Sequence, residues 1–246
     1  MSTPTLLVTG AAGGVARYLL PDLRAGYALR LTDRSSGVAG NLGDAGFART
    51  VCAGVETILH LAADADPNQP WHRLREPNAD AVVNVLDAAV AAGAKRVVLA
   101  SSLHAVGGHA DAGRIDIGED AIPYPCCAYG ATKAFAENMG RLYADRHGLT
   151  VICLRLGGVR DQPMARSWLP SWLSAPDLIR LVTAALTADV RYGVYHGISA
   201  NTTPTWRTDR ARAELGYAPQ DDSERYAADL PDDLTGAPAT GLLHLT

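Results

Sequence analysis

The chain has few cysteines, and their spacing matches no familiar metal or disulfide pattern. Its 246 residues include four, namely Cys52, Cys126, Cys127 and Cys153. None forms a Cys-x-x-Cys pair or lies at a zinc-ligand spacing from a histidine, and no secretion signal accompanies them. We therefore predict neither a metal site nor disulfides, and we interpret Cys127 as a small packing residue.

Long apolar runs, basic runs and repeats are missing as well. No stretch is long enough to cross a bilayer, and the N-terminus leads directly into a predicted strand. The net charge is only -4, and no segment is rich in Lys and Arg, which argues against nucleic acid or an anionic membrane as a partner. With 48% hydrophobic and 20% charged residues, the composition is typical of a globular protein, which we expect to be cytoplasmic.

The first sixteen residues predict a strand, a tight glycine turn and a helix. Thr5 to Thr9 are typical of a buried strand, and the apolar residues at 15, 19, 20 and 23 follow with helical spacing. Gly10 lets the chain reverse, and Gly13 lets backbone N–H groups approach a ligand at the positive end of the helix. Such a turn can be purely structural, but its position between strand and helix favours dinucleotide binding.

An acidic residue follows at the end of the next predicted strand. Asp33 lies about 20 residues after the turn, where a carboxylate binds the ribose hydroxyls of a dinucleotide and repels a 2′-phosphate. The pattern favours NAD over NADP, with the alternative that Arg34 helps to hold a phosphate.

Strands and helices alternate along the first 158 residues. We predict further strands at 57–62, 96–100 and 150–155, and helices around Phe47, from Asn78 to about Gly93, and from Tyr129 to His147. This alternation indicates an α/β fold with a doubly wound, Rossmann-like parallel sheet that carries helices on both faces.

After residue 160 the alternation becomes looser. A capping box at Ser174 to Asp177 predicts a helix through Leu186, and we expect a strand at 192–199, a helix at 208–215 and a loosely packed tail after Pro219. We predict a dinucleotide-binding core at 1–158 and a small substrate-binding region at 159–246, integrated into a single domain.

The pair Tyr129 and Lys133 is the most informative local motif. Four residues apart on a helix, the two side chains share a face, so the ammonium favours the phenolate and lowers the pKa of the tyrosine. A strand-end serine, Ser101 or Ser102, would bind the reacting oxygen. Alone, the pair could be exposed helix residues, but the glycine turn and Asp33 support a catalytic role.

These motifs resemble those of the extended short-chain dehydrogenase/reductase family (the NAD-dependent epimerase/dehydratase superfamily) in order and spacing. The matching positions are T-G-A-A-G-G-V-A at 9–16, Asp33, H-L-A-A at 60–63, Asn78, Ser101-Ser102, Tyr129, Lys133 and Arg155. The resemblance implies an NAD(P)-dependent enzyme in which Tyr129 is the acid/base, Lys133 holds the ribose and Ser102 polarises the reacting oxygen.

The resemblance also implies a cofactor-binding set. Its members are Gly10, Gly13, Gly14, Val15, Asp33, Arg34, Asn41, Leu42, Leu61, Ala62, Ala63, Asn78, Tyr129 and Lys133. Asn41 and Leu42 match the family's Asp-Leu pair beside the adenine, with Asn in place of Asp.

Within the family, the chain is most similar to the uronate dehydrogenases, which oxidise the anomeric carbon of galacturonate or glucuronate with NAD. This similarity implies Ser102, Leu103, His104, Gly158 and Arg166 as substrate positions, with Arg166 on the carboxylate. The chain departs from the pattern where those enzymes carry Asn (here Leu103) and Ser (here Gly158), and the 63–70 loop lacks a substrate-binding Ser. Either the substrate is a less hydroxylated small molecule, or other side chains compensate.

Two further interpretations remain open. A nucleotide-sugar epimerase or dehydratase is disfavoured by the short region after the fifth strand, and a non-catalytic NAD(P) sensor by the intact Ser102, Tyr129 and Lys133. The helix that begins at Tyr129 is the family's common dimer element, so a homodimer or larger homo-oligomer is expected. Its apolar residues Phe135, Met139 and Leu142 are suited to packing either in the protein core or at the interface between subunits.

Overall fold

Residues 3–231 are described by the computed structural model, and they form one large parallel sheet between two layers of helices. In chain order the strands are β1 (Thr5–Thr9), β2 (Ala28–Asp33), β3 (Val38–Ala39), β4 (Thr57–His60), β5 (Arg96–Ser102), β6 (Thr150–Leu156), β7 (Gly158–Val159), β8 (Trp172–Leu173) and β9 (Tyr192–Gly197). The helices are α1 (Ala16–Gly26), α2 (Ala45–Cys52), α3 (Trp71–Arg75), α4 (Ala81–Ala91), α5 (Gly107–Asp111), α6 (Ala128–His147) and α7 (Ala175–Thr187).

The strand order places a ligand crevice next to β1. The seven-stranded sheet runs β3-β2-β1-β4-β5-β6-β9 with every neighbouring pair parallel, and β7 pairs with β8 separately. The chain moves outward from β1 to β3 and then returns to the other side of β1, so the connections diverge between β1 and β4. Ligands of open α/β sheets bind at such a point, outside the carboxyl ends of the strands. The predicted Rossmann-like fold class is confirmed.

Two apolar layers cover the sheet because successive strand residues point to opposite faces. Leu7 and Ile58 belong to the core under α2, α4 and α6. Leu6, Val8 and Leu59 belong to the core under α1 and α7. The last strand, β9, comes from the C-terminal third and completes this same sheet.

The helix expected from Asn78 begins earlier in the structure. It starts at Trp71, passes through a π-turn at Glu76–Asp80 and continues as α4. Pro77 lies in this turn, has no N–H to donate and crowds the carbonyl one turn before it, so a wider turn accommodates it. β5 also runs further than expected, through Ser102, and short helical turns at Leu103–Ala105 and α5 follow it.

The C-terminal segment up to Tyr226 is held more firmly than the sequence indicates. Ser174 caps α7 by accepting the Asp177 N–H at 3.1 Å. The Asp177 carboxylate does not complete the expected capping box with Ser174. It accepts instead the N–H groups of Gln220 (2.8 Å) and Asp221 (3.0 Å). The Ser223 hydroxyl donates to the Leu169 carbonyl at 2.8 Å. The rest of the predicted tail, residues 232–246, lies outside the described residues.

The outer face of α6 carries exposed apolar groups. Phe135 and Leu142 are exposed, whereas Met139 packs against the core. The homo-oligomer expected through this helix stays a prediction. Among residues 3–231, no helix combines the length and apolar character needed to cross a membrane.

Candidate active site

The turn after β1 lies so close to the end of β4 that only glycine fits its first position. Gly10 has a φ of +67°, and a Cβ there would lie 2.7 Å from the Ala62 nitrogen. The Gly13 N–H donates to the Gly10 carbonyl at 2.9 Å and closes the turn. At Gly14, by contrast, a Cβ would meet no heavy atom of the described chain within 4 Å. The turn is tight against the sheet and open outward, as a cradle for a phosphate requires.

Buried hydroxyl and imidazole groups fix the position of the β4 end. The Thr9 hydroxyl oxygen accepts the N–H groups of Leu61 (3.1 Å) and Ala62 (3.2 Å), and the hydroxyl donates to His60 Nδ1 at 2.8 Å. Burial, together with the nearby charge of Lys133, lowers the pKa of His60 to about 3. His60 is therefore neutral at pH 7 and serves as a hydrogen-bond acceptor for Thr9.

A cavity of about 370 Å³ opens beside this turn. The residues of the predicted cofactor-binding set that line it are Gly10, Gly13, Asp33, Arg34, Asn41, Leu42, Leu61, Ala62 and Ala63. Asp33 Oδ2 accepts the N–H of Ala12 at 3.2 Å, which holds the carboxylate next to the glycine turn. Gly14, Val15, Asn78, Tyr129 and Lys133 are outside the lining of this cavity.

The Glu76 carboxylate contacts two polar residues that line the cavity, Asn41 and Arg34. Asn41 Nδ2 donates to Glu76 Oε1 at 2.6 Å, and the Arg34 guanidinium lies 4.0 Å from the same oxygen. Asn41 Oδ1 accepts the Gly43 N–H at 3.0 Å. A carboxylate beside Arg34 opposes the binding of a 2′-phosphate there, in agreement with the predicted preference for NAD.

Asn78 connects the loop after β4 to α6. Its Oδ1 accepts the Asp64 N–H at 2.7 Å, and its Nδ2 donates to the Asp64 carbonyl (2.9 Å) and to Thr132 Oγ1 (3.2 Å). Both amide hydrogens are thus used within the protein. Asn78 therefore braces the loop after β4 against α6, a connection that sequence spacing does not reveal.

The structure distinguishes the two adjacent serines. The Ser101 hydroxyl donates to Glu137 Oε1 at 2.6 Å, and Glu137 forms a bidentate, buried ion pair with Arg155 at 2.9 Å. Ser102 is the serine that faces Tyr129, where its hydroxyl acts to lower the pKa of the phenol. β-Strand alternation sends neighbouring residues to opposite faces, so only one of the pair can face the cleft.

Burial dominates the pKa values of the Tyr129–Lys133 pair. The pKa of Tyr129 is raised to about 12 by burial, with the Ser102 hydrogen bond opposing the shift and the negative charges of Cys127 and Asp64 adding to it. Burial lowers the pKa of Lys133 to about 8, against the attraction of Glu137. Lys133 Nζ lies 5.4 Å from the centre of the Tyr129 ring and donates to the Ala100 carbonyl at 2.9 Å. The expected downward shift of the tyrosine pKa is therefore reversed, because burial penalises the phenolate more than Ser102 favours it.

Cys127 caps the catalytic helix instead of packing passively. Its sulfur accepts the Gly130 N–H at 3.3 Å and lies 3.4 Å from His104 Nδ1. Cys126 Sγ lies 3.4 Å from that same nitrogen. Hydrogen bonds from Cys126 and His104 lower the pKa of Cys127, and its neighbouring thiolate raises the pKa of Cys126. Adjacent cysteines and a distant histidine follow no known ligand spacing, so their convergence is not visible in the sequence.

The expected substrate positions have different surroundings in the structure. His104 contacts Tyr129 edge-on, with ring centres 5.5 Å apart. Leu103 is fully buried in a separate apolar cluster with Trp206. A Cβ on Gly158 would lie 2.5 Å from the Trp168 ring, so an indole occupies the space that a serine would need. The exposed Arg166 begins the helical turn Arg166–Ser171.

The residues present fit a bound dinucleotide. The outward-open glycine turn suits the pyrophosphate, Asp33 suits the ribose hydroxyls, and the apolar Leu42 and Leu61 at the cavity suit the adenine. Ser102 lies at the carboxyl end of β5, and Tyr129 and Lys133 lie in the first turns of α6, on the side of the sheet where a nicotinamide would extend.

Comparisons with known proteins agree with this geometry. Residues 6–159 match the model of the NAD dependent epimerase/dehydratase family. The chain is 35% identical to a uronate dehydrogenase from Pseudomonas putida, over 91% of this chain and 86% of that protein. It is 32% identical to an NAD-dependent glucose-6-phosphate dehydrogenase from Haloferax volcanii, over 92% of this chain and 96% of the relative.

A solved structure adds the cofactor. The chain superposes with a TM-score of 0.88 and 29% identity on a mutant uronate dehydrogenase from Agrobacterium tumefaciens complexed with NAD, covering 96% of this chain and 93% of that one. The family match, the identities and the site geometry point to one conclusion. The chain belongs to the NAD-dependent epimerase/dehydratase family and is an NAD-dependent oxidoreductase.

Proposed function

We propose that this enzyme oxidises a hydroxyl of a small free sugar or sugar acid, at the anomeric carbon, and transfers the hydride to NAD. The observation that carries this proposal is the arrangement of Ser102 at the end of β5 with Tyr129 and Lys133 at the start of α6. The Ser102 hydroxyl acts on Tyr129 to lower its pKa, and Lys133 lies one helical turn along α6 with its ammonium 5.4 Å from the centre of the phenol ring.

In the mechanism, Tyr129 removes the proton of the reacting hydroxyl, and Ser102 donates a hydrogen bond to the same oxygen. NAD, when bound, accepts the hydride from the carbon that carries that hydroxyl. Because the pKa of Tyr129 is about 12, the phenolate is scarce at neutral pH and oxidation accelerates as the pH rises. Lys133 binds the nicotinamide ribose and offers the phenolate a cation.

His104, Trp168 and Arg166 are the residues proposed to contact the substrate. Trp168 is 9% exposed, and its indole fills the space beside Gly158, the position where the uronate dehydrogenases carry a serine, so it offers the apolar face of a sugar an aromatic surface. Arg166 pairs with the substrate carboxylate, and His104 donates to a sugar hydroxyl. The names of two relatives, a uronate dehydrogenase and a glucose-6-phosphate dehydrogenase, support an anionic sugar as substrate.

The test is NADH formation, followed at 340 nm, with a panel of galacturonate, glucuronate, glucose 6-phosphate, galactose and arabinose. We expect turnover with at least one anionic sugar and lower kcat/KM for the neutral ones. Turnover of neutral sugars alone would keep the reaction and contradict the role of Arg166. No net NADH with any of them, together with interconversion of a nucleotide sugar, would replace the proposal by epimerase activity.

The contribution of Arg166 is measured with a matched pair of variants. Arg166→Ala should raise KM for the anionic substrate and change kcat little, because the carboxylate contact is present before and during reaction. Arg24→Ala removes a second exposed arginine, at the end of α1 far from the cleft, and should leave KM unchanged. An equal effect of the two substitutions would show that general surface charge, not a specific contact, attracts the substrate.

A further inference from the structure

Three soft metal ligands meet at the N-terminus of the catalytic helix. His104 Nδ1, Cys126 Sγ and Cys127 Sγ lie within 4.8 Å of one another, and within residues 3–231 no second trio of His, Cys, Asp or Glu converges in this way. Both sulfurs lie 3.4 Å from the same imidazole nitrogen. Neighbouring side chains in extended backbone normally point to opposite sides, so the convergence of Cys126 and Cys127 on one atom is a specific feature of this chain.

The distances match tetrahedral coordination. With Zn–S of about 2.3 Å and Zn–N of about 2.0–2.1 Å, two ligands at a tetrahedral angle are about 3.5 Å apart. The two observed nitrogen–sulfur separations of 3.4 Å need almost no adjustment to admit an ion, and the two sulfurs lie within 4.8 Å of each other. Cys126 and Cys127 are half-buried.

Packing holds the three ligands in place before any ion binds. The Cys126 N–H donates to the His104 carbonyl at 3.3 Å. A Cβ on Gly130 would lie 2.2 Å from that carbonyl oxygen, so the glycine lets the segment after β5 press against the start of α6. Cys127 is fixed as the helix cap by the Gly130 N–H. A preorganised set loses little conformational entropy on binding.

We propose that His104, Cys126 and Cys127 form a binding site for a soft divalent cation of the Zn²⁺ class. The ion takes one nitrogen and two thiolate ligands from the protein and a water at the fourth position. Occupancy inhibits the dehydrogenase, since the ligand His104 packs edge-on against Tyr129 and can no longer serve a substrate. The predicted inhibition rests on the proposed function, whereas metal binding itself does not.

Binding is measured on the full chain, reduced and freed of metal. Zn²⁺ affinity comes from competition with a chromophoric chelator, and Co²⁺ serves as a spectroscopic probe of thiolate coordination. We expect one ion per chain and a thiolate-to-cobalt charge-transfer band. Cys126→Ser should weaken Zn²⁺ binding by more than about tenfold, since even the loss of a group that only orients a metal ligand reaches this size. The control is Cys52→Ala, at a core cysteine outside the trio. It should leave the Zn²⁺ affinity and the charge-transfer band unchanged.

A second variant separates loss of binding from loss of folding. In Cys127→Ser the hydroxyl can still cap α6 at Gly130, so the circular dichroism spectrum should persist while the charge-transfer band weakens. A wild-type chain without the band, or equal affinity in wild type and Cys126→Ser, would overturn the site.

Inhibition is read as the ratio of turnover with and without Zn²⁺ within each variant. Zn²⁺ should lower turnover of the wild type and of Cys52→Ala, and much less that of Cys126→Ser. Equal inhibition of all three would overturn the coupling to Tyr129. If no substrate is found, the proposed function fails while the chelator and cobalt measurements still decide the metal site.

Discussion

Desolvation is the strongest influence on the titratable groups at the site. Burial holds His60 neutral, raises the pKa of Tyr129 to about 12 and lowers that of Lys133 to about 8. Each shift disfavours the charged form, as expected where water is excluded. Burial already disfavours the Tyr129 phenolate. The role of the Lys133 ammonium is therefore to offset this cost of burial, and it does not lower the pKa of Tyr129 below that of a tyrosine in water.

Tyr129→Phe tests the acid/base assignment at this scale. The ring and its packing remain while the proton-transferring hydroxyl is lost, so kcat should fall at least about 100-fold, the usual contribution of general acid–base catalysis. NAD affinity, measured by calorimetry, should be nearly unchanged. Tyr124→Phe is the matched control, because this tyrosine is exposed and its ring packs on His109, not on a proposed catalytic residue. Retained turnover in Tyr129→Phe would assign the proton transfer to another group.

At the scale of elements, the β1–α1 turn and the brace through Asn78 position the site. Gly10 approaches the β4 end too closely for a side chain, whereas Gly14 faces open space. The same sequence motif therefore contains one glycine that folding requires and one that it does not.

Two substitutions in this turn separate folding from cofactor binding. Gly10→Ala places a Cβ against Ala62 at a positive φ, so we expect a loss of at least about 1–2 kcal/mol in stability and weakened NAD binding. Gly14→Ala should leave the melting temperature unchanged, because nothing in the described chain meets the new methyl group. Thermal unfolding and NAD titration measure the two effects. A stable, NAD-binding Gly10→Ala protein would contradict the close approach.

Asn78→Ala tests the brace between the β4 loop and α6. The change removes the Asn78 partner of the Asp64 N–H and carbonyl and the hydrogen bond that Thr132 Oγ1 accepts, at a cost of about 1–3 kcal/mol. We expect lower stability in urea unfolding and a higher KM for NAD, since Asp64 borders the cofactor cavity. Asn68→Ala, in the exposed part of the same loop, is the control. If both variants behave alike, Asn78 has no bracing role.

At the scale of the whole molecule, the sheet itself is sensitive to acid through its buried histidines. His60 in β4 and His196 in β9 both have pKa values lowered to about 3 by burial. The unfolded chain takes up these protons near pH 6.5 and the folded chain only near pH 3. Their contribution to stability is therefore complete above pH 6.5 and is lost as the pH falls toward 3.

The size of this effect can be measured with His196→Phe. The phenyl ring preserves the edge-on packing on Trp206 and cannot take up a proton. From pH 7 to pH 4.5 the wild type should lose about 2.5 kcal/mol for each of the two histidines, so the variant should lose about half as much in total. Urea unfolding at both pH values gives the difference. His72→Asn, at an exposed position in α3, should follow the wild type, and an unchanged slope in His196→Phe would contradict the buried neutral state.

Periodicity and turn chemistry predicted most of the fold because they are local properties. Alternation of strands and helices indicated the parallel sheet, and Gly10 with Asp33 indicated the dinucleotide site before any contact was known. The π-turn at Pro77 and the short helices after Ser102 were not predicted. Pro77 explains why a wider turn forms there, but both segments also pack against α6, and this long-range contact is not visible in the local sequence.

The sequence by itself determined the family, the cofactor and the set of candidate catalytic residues, because strand-turn-helix spacing and the Tyr-Lys interval bring these groups together in any fold of this type. Only the tertiary structure decided which serine faces Tyr129, that Trp168 fills the space beside Gly158, and that Cys126 and Cys127 meet His104. The physical reason is distance along the chain. Residues from separate strands and loops meet only when the sheet assembles, and burial then sets their protonation states.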